Sequence, residues 1–168
     1  MLRRAAKPLS RSDMRPVYLV ACVSQKESTA RRARDLYRSD WFRKARAYVT
    51  AQGGRWFILS ACHGLVKPSD RIEPYDVTLT TMPAAERRAW GERVSAQLAA
   101  SIGARTPVIF LAGRLYRDPL ARWAGDRAVT PLEGLGIGHQ KAWLARETAA
   151  IVMRRDQLDL FDWRGETE

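Results

Sequence analysis

The sequence predicts an α/β fold, a single three-layer domain built around a mostly parallel four-stranded sheet. Three observations lead there. Continuous apolar runs at Val17 to Cys22, Trp56 to Leu59 and Pro107 to Ala112 have strand length and lack the alternation of a half-exposed sheet, as expected of strands covered on both faces. Helical patterns separate these runs, and strands alternating with helices join by right-handed crossovers into a parallel sheet. Each run also opens into glycine and polar side chains, so the loops after the strands meet on one edge, where an open α/β sheet keeps its ligand.

Each element has a local reason. Residues 1–15 are basic, contain Pro8 and show no apolar period, which predicts a flexible arm. After the first strand, a loop with Ser24, Gln25 and Lys26 precedes a helical region from about Ser28 to Gln52. A break is expected near Ser39 and Asp40, either of which can cap a second helix, and Gly53-Gly54 ends it. The second strand opens into Ser60 to Asp76, punctuated by Gly64 and Pro74. Pro83 then opens a helix whose Trp90, Val94 and Leu98 form an apolar stripe, with Gly103 as its stop. The third strand leads into Gly113-Arg114-Leu115-Tyr116. A weak fourth strand near Ala128 to Thr130 is followed by the glycine-rich stretch 131–138 and a helix carrying Trp143, Leu144, Ile151 and Val152. The domain is expected over 16–154, with residues 155–168 as a C-terminal tail.

The 168 residues, 46% of them apolar, suit one domain with its own core. Lys and Arg total 29 against 18 Asp and Glu, and the resulting charge of +11 draws the protein to a polyanion by counterion release. DNA is the expected partner. Arginines crowd residues 3–15 and 31–46, and Arg31, Arg32, Arg38 and Arg43 are candidate contacts to the nucleic-acid backbone. With no long apolar span or secretory pattern, a membrane is not expected as partner and the cytoplasm is the expected compartment. Cys22 and Cys62 fit no zinc-site spacing, and the 134–138 glycines complete no phosphate-loop consensus, so neither a metal nor a cofactor is expected.

The stretch Ser60 to Asp76 is the candidate active site. Glu73, Tyr75 and Asp76 offer two carboxylates and a ring beside a stiffening Pro74, parts suited to holding a flat ring and opposing a developing cation. Turn formation, or pairing with Arg71, is the ordinary explanation of such carboxylates. His63, Ser60 and the backbone around Gly64 belong to the same loop. Cys22, Ser24, Gln25 and Lys26 follow the first strand, Gly113, Arg114 and Tyr116 the third, and Gly136 and Gly138 the fourth. Gly136-Ile137-Gly138 either holds a phosphate on free N–H groups or is a tight turn for close helix packing. Ser39 is a candidate to face the pocket, and Tyr37 and Phe42 face either the pocket or the core.

Taken together, Ala21-Cys22-x-Ser24-x-Lys26, Asp35-Leu36-Tyr37-x-Ser39-x-x-Phe42, Ser60-Ala61-x-x-Gly64-Leu65, Glu73-Pro74-Tyr75-Asp76 and Gly134-x-Gly136-Ile137-Gly138 resemble a small bacterial and phage domain of unknown function. The likeness spans residues 17 to about 150. That domain is similar to the YaaA peroxide-stress proteins and to the archaeosine synthase core, and distantly to the uracil-DNA glycosylase superfamily, some of whose relatives are implicated in anti-phage defence. The resemblance implies a uracil-DNA-glycosylase-like fold that handles nucleobases. The uracil enzyme's catalytic motifs are absent after the first and third strands, so its residues are not carried over.

Base excision requires an extruded nucleotide, stabilisation of an oxocarbenium-like sugar and an outlet for charge on the departing base. Asp76 is the first candidate to oppose the sugar cation or orient water, Glu73 the second, Asp70 a weaker third, with His63 as a further catalytic group. Tyr75 either stacks on the base or seals the loop. Ser24, Gln25, His63 and N–H groups near Gly64 are placed to read the base edge, and Lys26 and Arg114 to reach phosphates. The expected activity is a DNA glycosylase-like hydrolysis of a modified or unusual base. A base-modifying transferase, in which Cys22 or Cys62 carries more weight, and a non-catalytic DNA-binding stress protein are the alternatives. Finally, Gln157-Leu158-Asp159-Leu160-Phe161 resembles the peptide by which bacterial DNA-processing proteins dock to the replication sliding clamp. Gln157, Leu158, Leu160 and Phe161 would be its anchors, unless the apolar residues cover the domain's own core.

Overall fold

The computed structural model describes residues 15–164, with side chains through residue 158. The expected arm over 1–15 therefore lies outside the described residues, apart from Arg15. At the centre runs β1 (Val17–Ala21), buried along its whole length. It pairs in parallel with β3 (Arg55–Ser60) on one side and β6 (Val108–Leu111) on the other, so that Leu19 faces Phe57 and Phe110 in adjacent strands. β7 (Ala128–Val129) extends the sheet in parallel beyond β6, and β4 (Gly64–Val66) closes the other side antiparallel to β3. The order is β4-β3-β1-β6-β7.

The sheet has five strands where four are expected. The extra one, β4, lies within the stretch read as loop, and three residues are too few to carry a strand period. Gly64 makes the reversal possible. Its φ is +74°, and a Cβ there would fall 2.6 Å from Gln97 Oε1, the group that accepts the Leu65 N–H at 3.0 Å. Further on, β5 (Arg71–Ile72) pairs antiparallel with β2 (Arg31–Arg32) in a separate two-stranded ribbon. The helical region expected from Ser28 is thus extended to Arg32. It becomes the single turn α1 (Ala33–Leu36) and the longer α2 (Asp40–Gln52). The break sits where expected: Ser39 Oγ accepts the Phe42 N–H at 3.1 Å, and Gly53 ends α2 with φ +67°.

From β1 the chain crosses to β3 and then returns past β1 to β6. With right-handed crossovers that reversal puts α2 and α3 (Ala84–Ser101) on opposite faces of the sheet. α6 (Ile137–Arg164) packs along α2, with Trp143 and Tyr48 rings 5.2 Å apart and Tyr18 of β1 6.0 Å from Tyr48. On the other face, Trp90, Val94 and Leu98 of α3 are buried as their spacing predicts. Pro83 stands at the cap of this helix, and the chain leaves it at Ile102, one residue before Gly103.

Between β6 and β7 lie α4 (Arg114–Arg117), a 3-10 turn over Asp118–Leu120 and α5 (Ala121–Ala124), none of which has a sequence period long enough to read. Gly91 lets that turn approach α3: a Cβ would lie 2.6 Å from Pro119 Cβ and 2.9 Å from its carbonyl oxygen. The helix α6 continues through Arg164, so the backbone of Gln157 to Phe161 is helical where a tail is expected. Gln157 and Leu158 are exposed, and the side chains of Leu160 and Phe161 lie outside those described. Among the described residues no helix is long and apolar enough to cross a membrane.

Gly91→Ala should destabilise the domain by about 1–3 kcal/mol, because Pro119 meets it with backbone that cannot swing aside. Gly138→Ala, which faces open space in the first turn of α6, should be neutral or slightly stabilising. Urea midpoints of the two variants check the contrast.

Candidate functional site

All four parallel strands end on the same edge, and β3 ends there on a fully buried serine. The Ser60 hydroxyl donates to Tyr75 Oη at 2.7 Å and accepts the His63 N–H at 3.0 Å. Its carbonyl accepts the Trp90 indole N–H from α3 at 2.9 Å. Tyr75 Oη lies 2.8 Å from Tyr37 Oη, which continues the chain of hydroxyls. A second branch starts at Trp90, whose ring meets Tyr116 edge to face at 5.7 Å, and Tyr116 Oη lies 3.1 Å from Cys22 Sγ at the end of β1. Side chains from three strand ends and α3 thus form one network.

Lys26 enters this network from above. The segment after β1 pairs antiparallel with the segment after α1: Lys26 bridges Tyr37, the Glu27 N–H donates to Leu36 O at 2.8 Å, and the Arg38 N–H donates to Gln25 O at 2.9 Å. This short ladder holds Lys26 Nζ 4.2 Å from the centroid of the Tyr75 ring and 5.8 Å from that of Tyr37. The His63 ring stands perpendicular to Tyr75 at 5.2 Å. Lys26 also lines, with Gln25, Arg38 and Arg43, a polar pocket of about 500 Å³.

Burial dominates the electrostatics. It holds the Lys26 ammonium below the usual lysine range, with Cys22, Asp76 and Cys62 nearby acting in the opposite sense. Burial pushes the Tyr75 phenol far up, helped by Cys22 and Tyr37, and raises Tyr37 and Tyr116 for the same primary reason. At neutral pH the three phenols therefore keep their protons. Such groups donate hydrogen bonds to an anion without adding charge of their own.

The structure brings together Cys22, Lys26, Tyr37, Ser60, His63, Tyr75 and Tyr116. Asp76 is exposed but lies within electrostatic reach of Lys26, and Glu73 is exposed without a side-chain partner among the described residues. Asp70 has a turn role: its carboxylate accepts the Lys67 N–H at 2.9 Å and its carbonyl accepts that of Ala33 at 2.7 Å. Ser39 is the cap of α2, and Phe42 is core. Ser24 and Gln25 are exposed on the loop after β1, and Gly64 is buried in the turn beneath His63. Arg31 and Arg32 are exposed on β2. Gly113 and Gly136 are exposed on the loops after β6 and β7, Arg114 and Gly138 are exposed in the first turns of α4 and α6, and nothing lies within 4 Å of where a Cβ on any of these glycines would stand. Since Lys26 covers one face of Tyr75, that ring positions the lysine there instead of offering the same face to a base.

Two features escape sequence reasoning. Trp90 reads as part of a core stripe, and nothing in its spacing signals the bond from its indole to the end of β3. A groove of about 1000 Å³ between α3 and residues 114–123 is lined by Arg87, Arg88, Arg114, Arg122, Leu115 and Trp123 among others. Its arginines are scattered over two segments, so no local run reveals them. Among the described residues no three His, Cys, Asp or Glu side chains form a group that could hold a metal ion.

The family model described as Family of unknown function (DUF6884) matches residues 17–146. The chain belongs to this family. The DUF6884 match begins with the first residue of β1, takes in all the strands and ends inside α6, in agreement with the resemblance expected over residues 17 to about 150. Every residue of the strand-edge network falls within it. No curated protein matches the chain.

The raised phenols make stability depend on alkaline pH. A tyrosine whose folded pKa exceeds its unfolded one contributes fully below the unfolded value, near 10, and loses that contribution as pH rises towards the folded value. Tyr18, buried in β1 and pushed up to about 12, sets a window from about 10 to about 12, and Tyr37, Tyr75 and Tyr116 act in the same direction. Urea midpoints should fall above pH 10, and the fall should be shallower in Tyr75→Phe.

Proposed function

We propose that this domain is a DNA glycosylase-like hydrolase that cleaves the N-glycosidic bond of a modified or unusual base, with phage DNA as its target. The reading includes a distant kinship in fold with the uracil-DNA glycosylase superfamily and, nearer, with the YaaA and archaeosine synthase core domains. One observation carries it. Lys26, stacked on Tyr75 and near Asp76, also lines the pocket shared with Arg38 and Arg43, so groups suited to a sugar and groups suited to a phosphodiester adjoin on one edge of a strongly basic domain.

In this reading Arg38 and Arg43 take phosphates flanking the target nucleotide, which leaves the stack towards the strand ends. Asp76 opposes positive charge on the anomeric carbon and accepts a proton from the attacking water. The neutral Tyr116 phenol and the exposed His63 supply donors for charge leaving with the base. Transfer through the Cys22 thiol is disfavoured because Cys22 is buried against Tyr116. The sequence from Gln157 to Phe161 remains part of the proposal as a sliding-clamp contact, with Leu158 exposed on the last helix.

Incubation with DNAs carrying different modified bases, followed by alkaline cleavage at abasic sites, tests the activity. At least one substrate should yield labile strands, and Asp76→Asn should lower the rate by about 10²-fold or more while leaving salt-sensitive binding in place. Binding without abasic product on every DNA would leave a non-catalytic binding protein.

A further inference from the structure

We propose that Lys26 is an imine-forming nucleophile that condenses with the C1′ aldehyde of an abasic deoxyribose and cuts the strand by β-elimination. This rests on the reading that the strand edge receives a DNA sugar, and it adds a second reaction at that site.

The first support is where lysine occurs. The chain builds its positive charge from arginine, and its lysines are Lys7, Lys26, Lys44, Lys67 and Lys141. Lys44 and Lys141 pair with Asp40 at 2.7 and 3.4 Å, and Lys67 is exposed on the loop before β5. Lys7 lies outside the described residues. Lys26 is different: it stands at the strand edge, and its ammonium is 3.3 Å from the Ser24 carbonyl. A guanidinium serves phosphate binding at least as well as an ammonium, whereas only an amine adds to an aldehyde.

The second support is geometry. The backbone ladder to Tyr37 fixes the root of the side chain, and the Tyr75 ring, itself held by Ser60 and Tyr37, supports its end. The pocket of about 500 Å³ around Lys26 is large enough for a sugar and is flanked by Arg38 and Arg43, which suit the phosphates on either side of it. Partial burial favours the neutral amine, the form that attacks.

The chemistry balances without a cofactor. The neutral amine adds to C1′ of the ring-opened sugar, and the resulting hydroxyl takes up a proton from solvent and leaves as water, giving a protonated imine. A base, for which Asp76 is a carboxylate in electrostatic reach of Lys26, removes a C2′ proton. The electron pair forms the C2′–C3′ double bond as the C3′–O bond breaks, and the 3′-phosphate departs with that bond's electrons. Water then adds to C1′, returns the free amine and a proton to solvent, and releases an unsaturated aldehyde on the 5′ fragment.

Reduction with borohydride during incubation of the full chain with a preformed abasic-site DNA tests this directly. The expected result is a covalent protein–DNA adduct that peptide mapping assigns to Lys26, together with strand cleavage in the unreduced reaction. Lys26→Arg, which keeps the charge over Tyr75, should reduce both at least tenfold. No adduct, an adduct mapped to Lys7, another lysine or the N-terminus, or full trapping by Lys26→Arg would overturn the proposal. Because the abasic site is supplied, these outcomes are independent of base release: trapping with no excision on any modified DNA would sink the hydrolase alone, and excision without trapping would sink the imine alone.

Discussion

A buried serine hydroxyl at the end of a parallel strand has to find its hydrogen bonds within the protein, and the whole strand edge is organised around how Ser60 does so. Its hydroxyl serves Tyr75 and the His63 N–H, and its carbonyl serves Trp90. Leaving any of these buried groups unpaired would cost about 1–3 kcal/mol, which is enough to select one arrangement of the loop over its alternatives. The loop from Ala61 to Tyr75 is therefore tied to the strand it leaves. Position at the edge follows from satisfaction of polar groups, and the chemistry available there follows from position.

The same burial sets the protonation states. Three phenols and one ammonium share a region that water reaches poorly, and burial moves every one of them towards its neutral form. The surrounding surface does the reverse, with exposed guanidiniums on β2 and around Arg38 and Arg43. Long-range attraction for a polyanion and short-range supply of uncharged donors thus come from different residue types at different depths. Under the proposed function, a polyanion would be drawn in by the exposed arginines and would meet protonated hydroxyls only on contact.

Much of this was legible in the sequence, for reasons that differ by element. β1, β3 and β6 announce themselves because a strand covered on both faces is apolar without interruption, and Ser39 and Gly53 announce the ends of α2 because caps need particular side chains. The sheet edge follows from the topology alone. β4 and the β2–β5 ribbon were not legible, since strands of two or three residues depend on pairing with distant segments that leave no local pattern. At the site, Cys22, Lys26, Ser60, Tyr75 and Tyr116 could be placed on the edge from strand ends. That Lys26 lies on Tyr75 could not, because it depends on the Lys26–Tyr37 bridge, and neither partner carries a strand signal. Trp90 shows the opposite limit: its helical spacing correctly placed it in the core and concealed its indole bond to Ser60.

The two halves of the strand edge are built differently, and the contrast bears on how a ligand approaches. On the β3 side the edge is filled and cross-linked by hydroxyls. On the β6 and β7 side Gly113, Gly136 and Gly138 leave open space where side chains would stand. This open half is not loosely held. Arg117 pairs with Glu133 at 3.1 Å, the Trp41 indole donates to Gln140 at 2.9 Å, and Lys141 reaches Asp40, so the glycine loop is pinned to α4 on one side and to α2 on the other. A glycine loop fixed at both ends keeps its backbone accessible at little further ordering cost, since its position is already determined before anything binds. Under the proposed function, a nucleic-acid strand would come close on the glycine side while its reactive part is presented to the phenols and the lysine. The filled half would then supply the chemistry, and the empty half the room to reach it.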